Sequence, residues 1–232
     1  MKARLAALLF AALPGMAHAQ AYQCRVPERI GSVPAPSPDG PTRHARVDGY
    51  TLAASWSPEY CRMTRDTTSM QCSGRQGRFG FILHGLWPEA RGGAPPQWCA
   101  PTPAPPPDLV RRNLCMTPAP GLLAREWAKH GTCMVKTPQA YFKVSGILWN
   151  SIRWPDADRL SRNRDLTAGD FRRAFVEANP DWKASQVGIV ASRTGWLREV
   201  YLCYGRNFMP TACTRRAYGP ADSAQLKIWR GL

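Results

Sequence analysis

Two short segments, His84-Gly85-Leu86-Trp87-Pro88 and Glu126-Trp127-Ala128-Lys129-His130-Gly131-Thr132-Cys133, each hold one of the four histidines of this 232-residue chain. In the second, a carboxylate, an ammonium and an imidazole stand at i, i+3 and i+4, positions that share one face of a helix. Two imidazoles and a cation are the groups needed to cleave a phosphodiester without a metal. One imidazole takes a proton, the other gives one, and the cation stabilises charge on phosphorus. A histidine alone is more often structural, hydrogen-bonded at the end of an element. Two in matched contexts reverse that balance.

These segments resemble the two active-site signatures of the T2 family of ribonucleases. The resemblance runs more loosely from Asp48 to Cys213, through the strand-like YTLAASWSP and the late LCYG. It implies an α+β fold and an endoribonuclease that forms a 2′,3′-cyclic phosphate from single-stranded RNA. It also implies roles: His130 the base, His84 the acid, although the residues themselves permit the reverse. Lys129 is implied to stabilise the phosphorane, where a lone lysine would be read as a solvated surface group. Glu126 would orient Lys129 or bond the phosphate region; the plainer reading is a helix ion pair worth a few tenths of a kcal/mol. Arg125 stands where some relatives have a phosphate-binding histidine, and an arginine can make that contact bidentately. Trp87 would stack on a nucleobase, against the alternative of core packing. Glu89 matches an aspartate that reads the base in some relatives. The tyrosine that relatives often carry before the cysteine corresponding to Cys99 is replaced here by Pro95, with Trp98 nearby, and the family's base preference does not carry over.

The elements that must position these groups are legible in outline. Tyr50–Trp56 reads as a strand, and Phe79–Leu86 as a second that places His84 near its end. Leu109–Leu114 reads as a short helix. The helix carrying the second signature would turn Leu123 and Trp127 to the core and stop at Gly131. Pro138–Trp154 has amphipathic spacing in Tyr141, Phe142, Ile147, Leu148 and Ile152, with Pro155 as its end. Thr167 and Asp170 resemble a capping box for a helix to Asn179. Trp196–Tyr204 alternates as a late strand. Strands and separate helices together indicate a single α+β domain, an antiparallel sheet with helices packed around it.

Composition adds a setting. Lys2 and Arg4, the apolar run from Leu5 to Leu13 and Ala17-His18-Ala19 form an export signal over residues 1–19. That run is too short for a membrane anchor, so a periplasmic or secreted monomer is expected. A Pro-rich arm follows over 20–47, and the catalytic domain over 48–232. The formal charge of +15 suits a polyanionic partner such as RNA. Eight cysteines without a C-x-x-C read as four disulfides rather than a zinc or redox site. Cys61 with Cys72 and Cys203 with Cys213 bracket turn-rich loops. The family resemblance pairs Cys99 with Cys133, and Cys24 and Cys115 then remain for each other, pinning the arm. No cofactor is expected. The 16 acidic residues do not cluster with both histidines as a metal-dependent nuclease would require. A non-catalytic RNA-binding protein would account for the charge and the aromatics, but not for both histidine segments.

Overall fold

The computed structural model describes residues 21–22 and 24–230; the export signal expected over 1–19 lies outside them. In chain order the elements are β1 (Ala21–Tyr22), β2 (Gly49–Trp56), α1 (Ser57–Thr64), β3 (Arg78–Phe79), β4 (Phe81–Glu89), α2 (Pro107–Arg112) and α3 (Pro120–Lys129). They continue with α4 (Pro138–Asn150), α5 (Ala157–Leu160), α6 (Ala168–Ala178), β5 (Val187–Ala191), β6 (Leu197–Gly205) and α7 (Arg215–Tyr218). β4, β2, β6 and β5 form an antiparallel four-stranded sheet in that order, while β1 and β3 make a small separate ribbon.

Alternation along the strands gives the sheet two unlike faces. Leu52, Ala54 and Trp56 of β2, Phe81, Leu83 and Leu86 of β4, and Val200 and Leu202 of β6 are buried in the main core, with Leu123 and Trp127 of α3, Tyr141 and Phe142 of α4, and Phe171 and Phe175 of α6. The alternate positions of β2 and β6 bring Ser55, Glu199 and Tyr201 to the opposite face, and Ser55 lies directly across from Glu199.

His84 is not near a strand end, as its sequence context suggests. β4 runs on to Glu89, and the residue sits at a β-bulge. Ala53 faces Gly85 and Ala54 faces Leu83, so His84 is the extra residue between them. In an unbroken strand His84 and Trp87, an odd number apart, would point to opposite faces. The inserted residue puts both on the same side.

Helix ends follow local chemistry. Thr167 and Asp170 make the reciprocal capping box that begins α6. α4 stops at Asn150 rather than Trp154. Ser151 Oγ donates to the carbonyl of Leu148, and Asn179 takes both backbone groups of Arg153, so those residues leave the helical ladder. Ile147, counted on the apolar face of that helix, is exposed. α3 begins at Pro120, which suits a first helical position. His130 is its C-cap, and Gly131 opens a 3₁₀ turn to Cys133. Glycine is required there by proximity: a Cβ would lie 2.9 Å from the ring of Tyr141 and closer still to that of Trp127.

Four disulfides are present among the described residues: Cys24–Cys115, Cys61–Cys72, Cys99–Cys133 and Cys203–Cys213, the pairing expected from the sequence. The Pro-rich arm is bound along the body. Besides Cys24, Arg25 N donates to Gln76 O at 2.6 Å and Arg111 Nε to Pro27 O at 2.8 Å. Arg43 and Gln97 exchange backbone hydrogen bonds at 2.9 and 3.1 Å.

Candidate active site

β4 and the C-terminal turn of α3 bring the two signatures together. Glu126 is buried at the centre. Its Oε2 accepts from Trp87 Nε1 at 2.6 Å. Its Oε1 lies 3.7 Å from His84 Nε2, and its Oε2 lies 3.9 Å from His130 Nε2. One carboxylate therefore stands between the outer nitrogens of both imidazoles. Trp87, half-buried, lies beside both histidines, its ring 5.2 Å from His84 and 5.6 Å from His130, and 5.4 Å from Tyr201. The backbone of β4 beside the site is tied down. Leu83 N donates to Met116 O, Thr117 Oγ1 donates to Leu83 O, and Tyr141 Oη bonds both polar groups of Leu86.

His84 is held from behind by a residue that the sequence did not reveal. Its Nδ1–H donates to Glu199 Oε1 at 2.6 Å, with Ser55 Oγ 3.3 Å away. Ser55 also donates to Glu199 Oε1, and Tyr201 Oη to Glu199 Oε2, both at 2.9 Å. The available signal was a lone acid on the polar face of an alternating strand; nothing in the order of residues links it to His84.

The two imidazoles sit in opposite environments. Burial opposes a charge on His84, yet the bond from Glu199 and the charges of Glu126 and Glu199 outweigh it, so its pKa is raised. Burial, then the positive charges of Lys129, His84 and Arg125, pull His130 down to about 3. Its Nδ1 is buried with no hydrogen-bond partner among the described residues. Glu126 is raised by burial, against the charge of His84 and the Trp87 bond. For Glu199 burial is outweighed by its bond to His84, and its pKa is lowered.

Lys129 and Arg125 do not pair with Glu126. Both reach the arm: Lys129 Nζ is 3.2 Å from Asp39, and Arg125 Nη2 also bonds that carboxylate. Trp98 Nε1 donates to Asp39 Oδ1 at 3.0 Å, and the Arg125 guanidinium lies 5.8 Å from the Trp98 ring. Glu126 therefore neither orients Lys129 nor forms the plainer helix ion pair with it: Glu126 is buried with Trp127 and Ala128, and Lys129 pairs with Asp39. Arg125, Lys129 and Trp98 thus form a second cluster around Asp39. Glu89 belongs to neither cluster. It accepts from Thr51 Oγ1 at 2.8 Å and lines a cavity of about 270 Å³ with Tyr50, Arg91 and Thr214. Burial raises its pKa.

Among the described residues no group of three or more His, Cys, Asp or Glu is arranged to hold a metal ion. No helix among them is long and apolar enough to cross a membrane.

The model of the Ribonuclease T2 family matches residues 47–157. A "Probable ribonuclease" of Haemophilus influenzae is 32% identical over 187 residues, covering 75% of this chain and 64% of that protein, so the chain spans somewhat under two thirds of that relative's length. A "Ribonuclease" of Aeromonas hydrophila is 31% identical over 164 residues, 68% of this chain and 72% of that one. Among solved structures, the "RNase-related protein from Calystegia sepium" superposes with a TM-score of 0.60 at 21% identity, covering 79% of this chain and 98% of that one, a likeness of fold.

Proposed function

Since the chain belongs to the Ribonuclease T2 family, we propose that it is an exported, monomeric endoribonuclease that cuts single-stranded RNA by metal-independent acid–base chemistry. His130, kept neutral, removes the proton of a ribose 2′-hydroxyl as that oxygen attacks phosphorus. His84, kept protonated, gives a proton to the departing 5′-oxygen. The P–O5′ bond breaks and a 2′,3′-cyclic phosphate forms. Water then opens the ring with the roles exchanged, leaving a 3′-phosphate. Lys129 and Arg125 supply positive charge for the phosphorane, which exists only in the transition state. Trp87 keeps its N–H on Glu126 and offers its remaining ring surface to a nucleobase, and Glu89 and Trp98 border the path of the chain.

The observation that carries this reading is the pair of imidazoles whose surroundings drive their pKa values apart around one buried carboxylate. Such a pair supports His130 as the base and His84 as the acid. The test is turnover of single-stranded RNA in EDTA by the purified protein and by His84→Ala and His130→Ala. Each substitution should cost roughly 10²–10⁴-fold in rate while the circular dichroism spectrum is unchanged. A folded variant cleaving near the parent rate would exclude that histidine.

A further inference from the structure

Both oxygens of Glu199 are engaged. His84 Nδ1 and Ser55 Oγ bond Oε1 at 2.6 and 2.9 Å, and Tyr201 Oη bonds Oε2 at 2.9 Å. Three neighbouring positions of two paired strands thus fix one carboxylate against the rear of one imidazole. An ionised carboxylate can only accept, so Nδ1 must carry hydrogen, and the ring orientation that satisfies this bond turns Nε2 toward Glu126 Oε1, 3.7 Å away. The charged and titratable groups around His84 are Glu199 and Tyr201 on β6, Glu126 and Arg125 on α3, and His130 at the end of that helix. Ser55 on β2 and Trp87 on its own strand complete its surroundings. Of the charged groups among the described residues, Glu199 alone is hydrogen-bonded to the ring.

We propose that Glu199 is a positioning residue for the RNA cleavage proposed above, on which this inference rests: it grips His84 by Nδ1 so that the proton delivered to the leaving oxygen is carried on Nε2. It touches no reacting atom. Glutamine at this position keeps the size and an acceptor oxygen but removes the charge. Its amide can also turn its NH₂ toward Nδ1, which favours the wrong tautomer. His84 should then hold its second proton less firmly and in a less certain orientation.

The experiment compares the parent, Glu199→Gln and Glu199→Asp. Their kcat and KM are measured against pH on a dinucleoside RNA phosphodiester, and their histidine ring signals are titrated by NMR, with His84→Ala to assign the resonance. In Glu199→Gln, kcat should fall by about tenfold or more, yet by less than the loss in His84→Ala. KM should change by less than about twofold, since no substrate contact is lost. The basic limb of the kcat profile and the His84 titration should move together to lower pH. Glu199→Asp keeps the charge one methylene further away, and should recover part of kcat with a titration between the other two. A folded Glu199→Gln with parental kcat and basic limb overturns the proposal, as does a lowered kcat with an unmoved His84 titration. Should Glu199→Gln not fold, Glu199→Asp decides: reduced kcat at parental KM supports the grip, and parental kcat refutes it. A parent inactive on RNA would sink the proposed function, while the NMR titrations would still read whether Glu199 governs the protonation of His84.

Discussion

The carboxylate of Glu126 fills the space that a side chain on Gly85 would need. A Cβ built on Gly85 would lie 2.8 Å from Glu126 Cδ and 2.7 Å from Trp87 Nε1. The glycine beside the first histidine is therefore the socket for the acid of the second segment. Gly85→Ala should cost roughly 1–3 kcal/mol of stability through overpacking and reduce kcat more than that loss explains, because Glu126 is buried and cannot swing into solvent. Urea denaturation and turnover at a temperature where the variant is folded check this. Parental activity in Gly85→Ala would mean that Glu126 can shift without consequence.

The pH dependence follows from the two imidazoles. The proposed mechanism requires His130 unprotonated and His84 protonated. As pH falls, Glu126, raised by burial, takes up a proton first, and protonation of His130, drawn down to about 3, shuts off the base. As pH rises through the raised pKa of His84, the acid loses its proton. The profile should be a bell displaced to the acidic side of neutral, wide because the two pKa values are driven apart. A profile still climbing in alkaline buffer would contradict the assignment of His84 as acid.

Asp39 should weaken the hold of the free protein on polyanions. Its single negative charge offsets part of that of Lys129 and Arg125, and the bond from Arg125 above all, with those from Lys129 and Trp98, keeps its own pKa far below the carboxylate range against opposing desolvation. Asp39→Asn releases two cations. RNA binding should tighten at low ionic strength, and the slope of log affinity against log salt should steepen by about 1. Binding measured by fluorescence anisotropy at several salt concentrations decides this, and an unchanged slope would show that Asp39 leaves the pair free to meet phosphate.

The Cys99–Cys133 bridge joins the segment after β4 to the turn that follows His130. Opening it releases a loop of 34 residues, worth about 3–4 kcal/mol in the chain-entropy description. Displacing the imidazoles by about 1 Å costs on the order of a hundredfold in rate. The double variant Cys99→Ala/Cys133→Ala should therefore lose activity even at temperatures where it is fully folded. Loss of Cys24–Cys115 should leave kcat nearly unaltered. Equal kcat losses for both bridges would remove the link between this one and the site.

What the sequence made legible was local. The spacing of Glu126, Lys129 and His130 follows from helix geometry, the capping box of Thr167 from three residues, and the strand of Tyr50–Trp56 from apolar content. What escaped depended on contacts between distant segments. The bulge at His84 appears only in the register with Ala53 and Ala54. β5 is a five-residue apolar run whose pattern does not distinguish a strand. Glu199 and Asp39 are ordinary acids until the fold sets one behind His84 and the other on Lys129. The link from Glu126 to Lys129 read from their spacing failed for the same reason: tertiary burial, not helical spacing, decided where Glu126 points.

In the proposed mechanism a 2′-hydroxyl attacks phosphorus under the control of His84 and His130. The most direct test is an RNA oligonucleotide carrying a single 2′-deoxy residue, incubated with the purified protein in EDTA and resolved by mass spectrometry. Cuts are expected at the ribose positions, with ends that appear first as 2′,3′-cyclic phosphate and later as 3′-phosphate, and no cut 3′ to the deoxy residue. Cleavage at the deoxy position, or products bearing 5′-phosphate from the outset, would contradict it.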